Sequence, residues 1–78
     1  MTPAQCRAAR ALISMTQPQL AKAADVGLST VVDFEKERRK VSDTSIKSLL
    51  SALEESGVVF ISENGSGAGV LLRKEITE

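Results

Sequence analysis

Apolar residues recur at two periods along this chain, helical as far as Gly57 and strand-like beyond it. Cys6, Ala9, Arg10 and Ile13 form one stripe of a first predicted helix, Pro3–Ile13. Thr2 is placed to cap it, and Pro3 suits its first position. Thr16 and Gln19 then form a T-x-x-Q capping box, with Pro18 in the first turn of a second helix, Gln17–Ala24. Its apolar face is Leu20, Ala21 and Ala24, and the small Ala21 leaves room for another helix to cross closely. Met15, between these helices, reads as a core filler. Asp25-Val26-Gly27 interrupts the pattern, and Val31 and Phe34 resume it in a third helix, Leu28–Lys36. Glu37–Ser42 is a basic loop. A fourth helix starts near Asp43, capped by Ser42 or Asp43, with Ile46, Leu49, Leu50 and Leu53 at i, i+3, i+4 and i+7. Gly57 is the natural residue to stop it.

Beyond Gly57, Val58–Ile61 and Val70–Arg73 are short apolar, partly β-branched runs either side of a glycine-rich turn, Glu63–Gly69. The pattern predicts a β-hairpin, with Ile76 extending its second strand and the last residues frayed. The glycine-rich turn lacks the Lys-Ser/Thr and following helix of a phosphate-binding loop. Val58 and Phe60 point to one face and Val59 and Ile61 to the other, yet all four are apolar. Helices can cover only one face, and a lone two-stranded hairpin is marginal in water. We therefore expect a homodimer built on Val58, Val59, Phe60, Ile61, Val70, Leu71 and Leu72. The expected organisation is mainly α: a four-helix domain over residues 1–57, followed by a C-terminal β-hairpin over 58–78 that serves dimerisation.

At 78 residues the chain is one small domain, a size at which association often supplements a modest core. It has no histidine and a single cysteine, Cys6, so neither a disulfide within the chain, a zinc site of the usual ligands nor a His-based triad can be built. Cys6 reads as a small buried hydrophobe. An enzyme is not expected, nor any cofactor or metal. No apolar run is long enough to span a membrane, and no segment resembles a signal peptide, so a cytoplasmic protein is expected. The net charge is zero but unevenly spread. Residues 1–40 hold seven basic and four acidic side chains, +3, whereas residues 41–78 hold three basic and six acidic, −3. The positive half contains the second and third helices, as suits one end facing nucleic acid.

A small residue on one helix, a tight turn and a buried aliphatic on the next is the layout of a helix-turn-helix. Gln17, Leu20, Ala21, Val26, Ser29, Thr30, Val31 and Glu35 follow the pattern Q-x-x-L-A…V-x-x-S-T-[IV]-x-x-x-E. In this the chain resembles the phage-repressor-like helix-turn-helix proteins of the Cro/C1 or xenobiotic-response-element type. The resemblance covers the four helices and implies a lambda-repressor-like DNA-binding fold. It implies that Gln17 meets a DNA phosphate, that Leu28, Ser29 and Thr30 open the recognition helix, and that Val32 and Asp33 lie near its exposed side. It places Arg38, Arg39 and Lys40 along the DNA backbone, and makes Arg10 and Glu35 an ion pair that holds the recognition helix. The chain departs from the family in having Asp25 and Glu37 where glycine is usual, and Gly27 where Ser or Thr usually precedes the recognition helix. That helix also shows Asp33 and no Arg, Lys, Gln or Asn at its exposed positions, which moves weight from base readout to phosphate contacts. Asp33 reads as a surface or helix-ordering residue ahead of a cytosine reader. The expected function is a transcription regulator, a repressor, binding double-stranded operator DNA as a homodimer. The alternative is an antitoxin with a toxin partner, or a protein-interaction adaptor of the same fold.

Overall fold

In the computed structural model, which describes residues 1–73, four helices are followed by one hairpin. The helices are α1 (Pro3–Leu12), α2 (Gln17–Ala24), α3 (Leu28–Lys36) and α4 (Asp43–Glu55); the strands are β1 (Val58–Ile61) and β2 (Gly69–Leu72). Helix α1 ends one residue before the expected Ile13, which becomes its cap. Strand β2 runs one residue earlier than Val70–Arg73, although the Arg73 N–H still donates to the Gly57 carbonyl at 2.7 Å. The expected extension at Ile76 lies outside the described residues. No helix among the described residues is long and apolar enough to cross a membrane.

The helix starts follow from local chemistry. Thr16 Oγ1 accepts from the Gln19 N–H at 3.2 Å, and Gln19 Oε1 accepts from the Thr16 N–H at 2.9 Å, so two otherwise orphaned donors are satisfied. The same box opens α1, where Thr2 and Gln5 exchange hydrogen bonds of 3.0 and 2.8 Å. Ser42 caps α4 through the Ser45 N–H. Gly57, at φ 101°, carries the chain from α4 into β1, a conformation closed to most L residues. Helices α1, α2 and α3 instead turn out through non-glycine residues with left-handed backbone, Ser14, Asp25 and Glu37, each near φ 55°. In each case the next N–H closes back on the helix: Met15 to Arg10 O, Val26 to Ala21 O and Arg38 to Asp33 O, at 2.9 to 3.0 Å.

One core joins all the elements. Cys6 and Ala9 of α1, Leu20 and Ala21 of α2, Val31 and Phe34 of α3, Val41, Leu49, Ala52 and Leu53 of α4 and its approach, and Val58 of β1 are buried together. Ile46 packs on its margin. Leu50, expected on the same stripe, is only half-buried, and the buried face of α4 is Leu49, Leu53 and, on the flank away from Leu50, Ala52. Ile46, Leu49 and Leu53 thus lie where the spacing puts them, and the small Ala52 widens the buried face on one flank.

The hairpin is antiparallel, with Val58 opposite Leu72, Val59 opposite Leu71, Phe60 opposite Val70 and Ile61 opposite Gly69. It lies against α1 and α4. Val58 is sealed in the core, with Phe60 and Val70 packed against it. The Gln5 amide on α1 fastens the loop end of the hairpin, donating to the carbonyls of both Ile61 and Gly69 at 3.0 Å. Its oxygen is already used by the Thr2 N–H, so the buried side chain serves the helix cap and the hairpin together.

Candidate nucleic-acid interface

The turn between α2 and α3 is set by packing as well as by backbone. Ala21 of α2 and Val31 of α3 are buried in the same core cluster. Asp25 takes the left-handed conformation at φ 55° and ψ 46°, which aspartate tolerates better than most residues. Gly27 caps α3 with its backbone alone, so the first N–H groups of α3 receive no side-chain acceptor.

Glu35 anchors α3 from inside. Its side chain is 1% exposed, and its carboxylate accepts four hydrogen bonds. Arg10 grips it side-on, Nε to Oε2 at 2.7 Å and Nη2 to Oε1 at 2.6 Å. Gln17 Nε2 adds a bond to Oε1 at 2.9 Å, and the Cys6 thiol donates to Oε2 at 3.1 Å. Burial alone would push the Glu35 carboxyl up. The hydrogen bonds from Arg10, Gln17 and Cys6, with the Arg10 charge, outweigh burial and hold it below the usual carboxylate range. The hydrogen bond to Glu35 in turn raises Arg10 against the opposing effect of its own burial. Burial first, then the Glu35 hydrogen bond and charge, push the Cys6 thiol up, so it remains a proton donor and not a nucleophile. Arg7 completes the arrangement, donating from Nη1 to the main-chain carbonyl of Glu35, where a cation suits the C-terminal end of α3. Three side chains of α1 and one of α2 thus converge on a single residue of α3.

The outer side of α3 carries the other residues singled out by sequence. Leu28 is 46% exposed, Ser29 is exposed, and Thr30, Val32 and Asp33 are half-buried. The expectation that this face holds no Lys is corrected by Lys36. It is exposed one helical turn beyond Val32, on the same row as Leu28 and Val32. Arg38, Arg39 and Lys40 are all exposed in the loop that follows. They are not equivalent. Arg39 Nε is paired with Asp33 Oδ2 at 2.8 Å, whereas Arg38 and Lys40 have no ion pair among the described residues. Gln17 stands at the first position of α2 beside this surface, but its side-chain amide is committed to Glu35. What it still offers an anion is the main-chain N–H of a helix N-terminus.

Four participants escaped the sequence reading: Cys6 as a donor, Gln17 as a structural ligand of Glu35, Arg7 on the α3 terminus, and Lys36. Only Lys36 had a signal in the sequence, its i+4 spacing from Val32. The others depend on where α1 and α2 lie against α3.

A helix-turn-helix family model matches residues 7–60, from α1 through most of β1. Comparison with curated proteins returns no match. Since the matched segment takes in α2, the turn, α3 and α4, well over half of the chain, the protein belongs to the Cro/C1-type helix-turn-helix family of DNA-binding domains.

Proposed function

We propose that the chain is a cytoplasmic transcription regulator, a repressor without catalytic activity, that binds double-stranded operator DNA as a homodimer. Residues 1–57 form the DNA-binding part and residues 58–78 the dimerisation element. Helix α3 enters the major groove, with Leu28 and Val32 against thymine methyls and Ser29 and Thr30 hydrogen-bonding to bases or phosphates. Arg38, Arg39 and Lys40 follow the phosphate backbone, and the N-terminus of α2 at Gln17 meets another phosphate. The observation that carries this reading is the contrast across α3: its inner side is fixed by a fully bonded Glu35, while its outer side exposes Leu28, Ser29 and Lys36 and is followed by exposed cations.

The dimer reading is supported by the outer face of the hairpin, where Val59, Ile61 and Leu71 remain exposed. Two-fold symmetry then implies a palindromic site with half-sites roughly 34–36 Å apart. The same apolar face supports a second reading, an antitoxin or adaptor that covers it with a different protein. Co-purification of a stoichiometric partner from the native host favours that reading.

The test is fluorescence anisotropy on labelled duplex DNA, with bound sites selected from a random pool. Affinity is expected to fall steeply with salt, with a slope of about −0.9 per phosphate contacted. Arg38→Ala/Lys40→Ala is expected to weaken binding and shallow that slope without changing thermal stability. Absence of an enriched palindrome would overturn sequence-specific regulation.

A further inference from the structure

We propose that Asp33 is a positioning residue for Arg39, holding its guanidinium ready to donate in parallel to paired acceptor atoms on DNA. This rests on the DNA-binding reading above.

Asp33 sits on the row of α3 that begins at Ser29, one helical turn before it, at the edge of the outer face. A carboxylate there is unexpected, because alone it repels the phosphates that the neighbouring Lys36, Arg38 and Lys40 attract. It is not alone. Its Oδ2 accepts from Arg39 Nε at 2.8 Å, and its side chain is only 20% exposed, against 51% for Arg39. The acid lies down against the protein and the cation stands outward. The chain between them is constrained too: Glu37 turns the backbone through its left-handed conformation, and the Arg38 N–H closes on the Asp33 carbonyl at 3.0 Å. Arg39 Nη1 reaches the Lys40 carbonyl at 3.4 Å, and Nη2 has no partner among the described residues.

Because Asp33 takes Nε and the Lys40 carbonyl takes one N–H of Nη1, the guanidinium is held at two points, and the edge left for outside acceptors is Nη2 with the second N–H of Nη1. That edge is the planar fork that matches two phosphate oxygens, or the O6 and N7 of guanine. An exposed ion pair contributes little to stability, so its consequence here is orientation. Holding a long side chain in its bound geometry beforehand removes an ordering cost that would otherwise fall on binding.

The prediction runs against simple charge counting. Removing a carboxylate from a DNA-facing surface should tighten binding. If Asp33 positions Arg39, Asp33→Ala instead weakens it by roughly three- to tenfold, the scale of ordering one long side chain. Asp33→Asn keeps an oxygen that can accept from Nε and removes the charge, so it binds at least as tightly as wild type. In an Arg39→Ala background, Asp33→Ala has no weakening effect. All variants are measured at low salt on a pool of random-sequence duplexes and on the selected site, with thermal melts to establish folding. A loss of the same size on both probes assigns the acceptors to phosphate. A loss confined to the selected site, with relaxed preference for guanine at one position, assigns them to a base. Asp33→Ala binding as well as or better than wild type overturns the proposal while leaving DNA binding intact. So does an equal loss in the Arg39→Ala background. Wild-type protein that binds neither probe overturns the DNA-binding reading itself.

Discussion

Helix α3 and the hairpin each have a finished side and an unfinished one, and the unfinished sides differ in kind. On the inner side of α3, Val31, Phe34 and Glu35 are buried, and the carboxylate has four donors. Its outer side mixes Leu28, Ser29, Val32, Asp33 and Lys36, with uncapped N–H groups at its start. On the inner side of the hairpin Val58 is sealed and Gln5 adds a hydrogen bond to each of two carbonyls, with only Leu72 at the strand end left exposed. Its outer side within the strands is Val59, Ile61 and Leu71, all apolar and exposed. A mixed polar and apolar ridge beside cations suits nucleic acid; a purely apolar strip suits another protein surface. The two sides are joined through α1, which carries Gln5 toward the hairpin and Cys6, Arg7 and Arg10 toward α3.

The strongest way to break the finished side of α3 is to remove Arg10. Arg10→Met leaves Glu35 buried with only Gln17 and Cys6 as side-chain partners. The expected loss is about 3–5 kcal/mol, enough to unfold a marginal domain. Urea denaturation measures it. The same cluster sets the acid limit. The Glu35 carboxyl is held below its ordinary value of 4.5, so its contribution is present above that pH and is lost as pH falls through the lower value of the folded state. Wild-type stability should therefore fall in acid below about pH 4.5, and Glu35→Gln should flatten that limb while costing stability at neutral pH.

Next in size is the finished side of the hairpin. Gln5→Ala removes the two side-chain hydrogen bonds to the Ile61 and Gly69 carbonyls, which keep their cross-strand partners, and the reciprocal bond to the Thr2 N–H. A loss of about 1–3 kcal/mol is expected. Amide exchange should accelerate in the hairpin before α2 or α3, because the helices keep their own core contacts. Equal acceleration everywhere would show that hairpin and helices open as one unit.

The order and types of the elements were legible because the apolar period changes at Gly57 and because capping residues mark the helix starts. Both T-x-x-Q boxes, Thr2 with Gln5 and Thr16 with Gln19, stand in the sequence, but the first does more than cap a helix. Its glutamine is the one that also crosses to the hairpin, 56 residues away. Periodicity identifies which face of a helix is buried, but not which polar side chain on that face meets which. Cys6 illustrates this: a small residue on a buried stripe gives no hint of a carboxylate 29 residues later. The Asp33–Arg39 pair spans only six residues, yet it depends on the left-handed turn at Glu37, a position where most sequences needing that turn would carry glycine.

That turn gives a smaller, opposite test. Glu37 holds φ 55° without any side-chain hydrogen bond among the described residues. Glu37→Gly relieves the left-handed strain and loosens the unfolded chain, for a net stabilisation of roughly 0.5–1 kcal/mol. It also removes a negative charge beside the cations, so DNA affinity should rise at low salt. A destabilised variant would mean that the Glu37 side chain contributes more than its backbone position suggests.

The smallest effect on the single chain is expected at the unfinished side of the hairpin. Val59 is 38% exposed and opposite Leu71, so Val59→Lys should change the stability of the isolated chain by no more than about 0.5 kcal/mol. Its neighbour Val58 is 2% exposed, and Val58→Lys should prevent folding, which makes the pair a control for which face matters. If the outer face joins two copies, Val59→Lys places a charge on both sides of a two-fold contact at once. Sedimentation should then shift from dimer to monomer with the melting of the dilute protein unchanged, and DNA affinity should fall because two linked half-site contacts become one. An unaltered sedimentation coefficient, dimeric in both proteins, would move the contact elsewhere, and a monomeric wild type would leave the strip to a different protein.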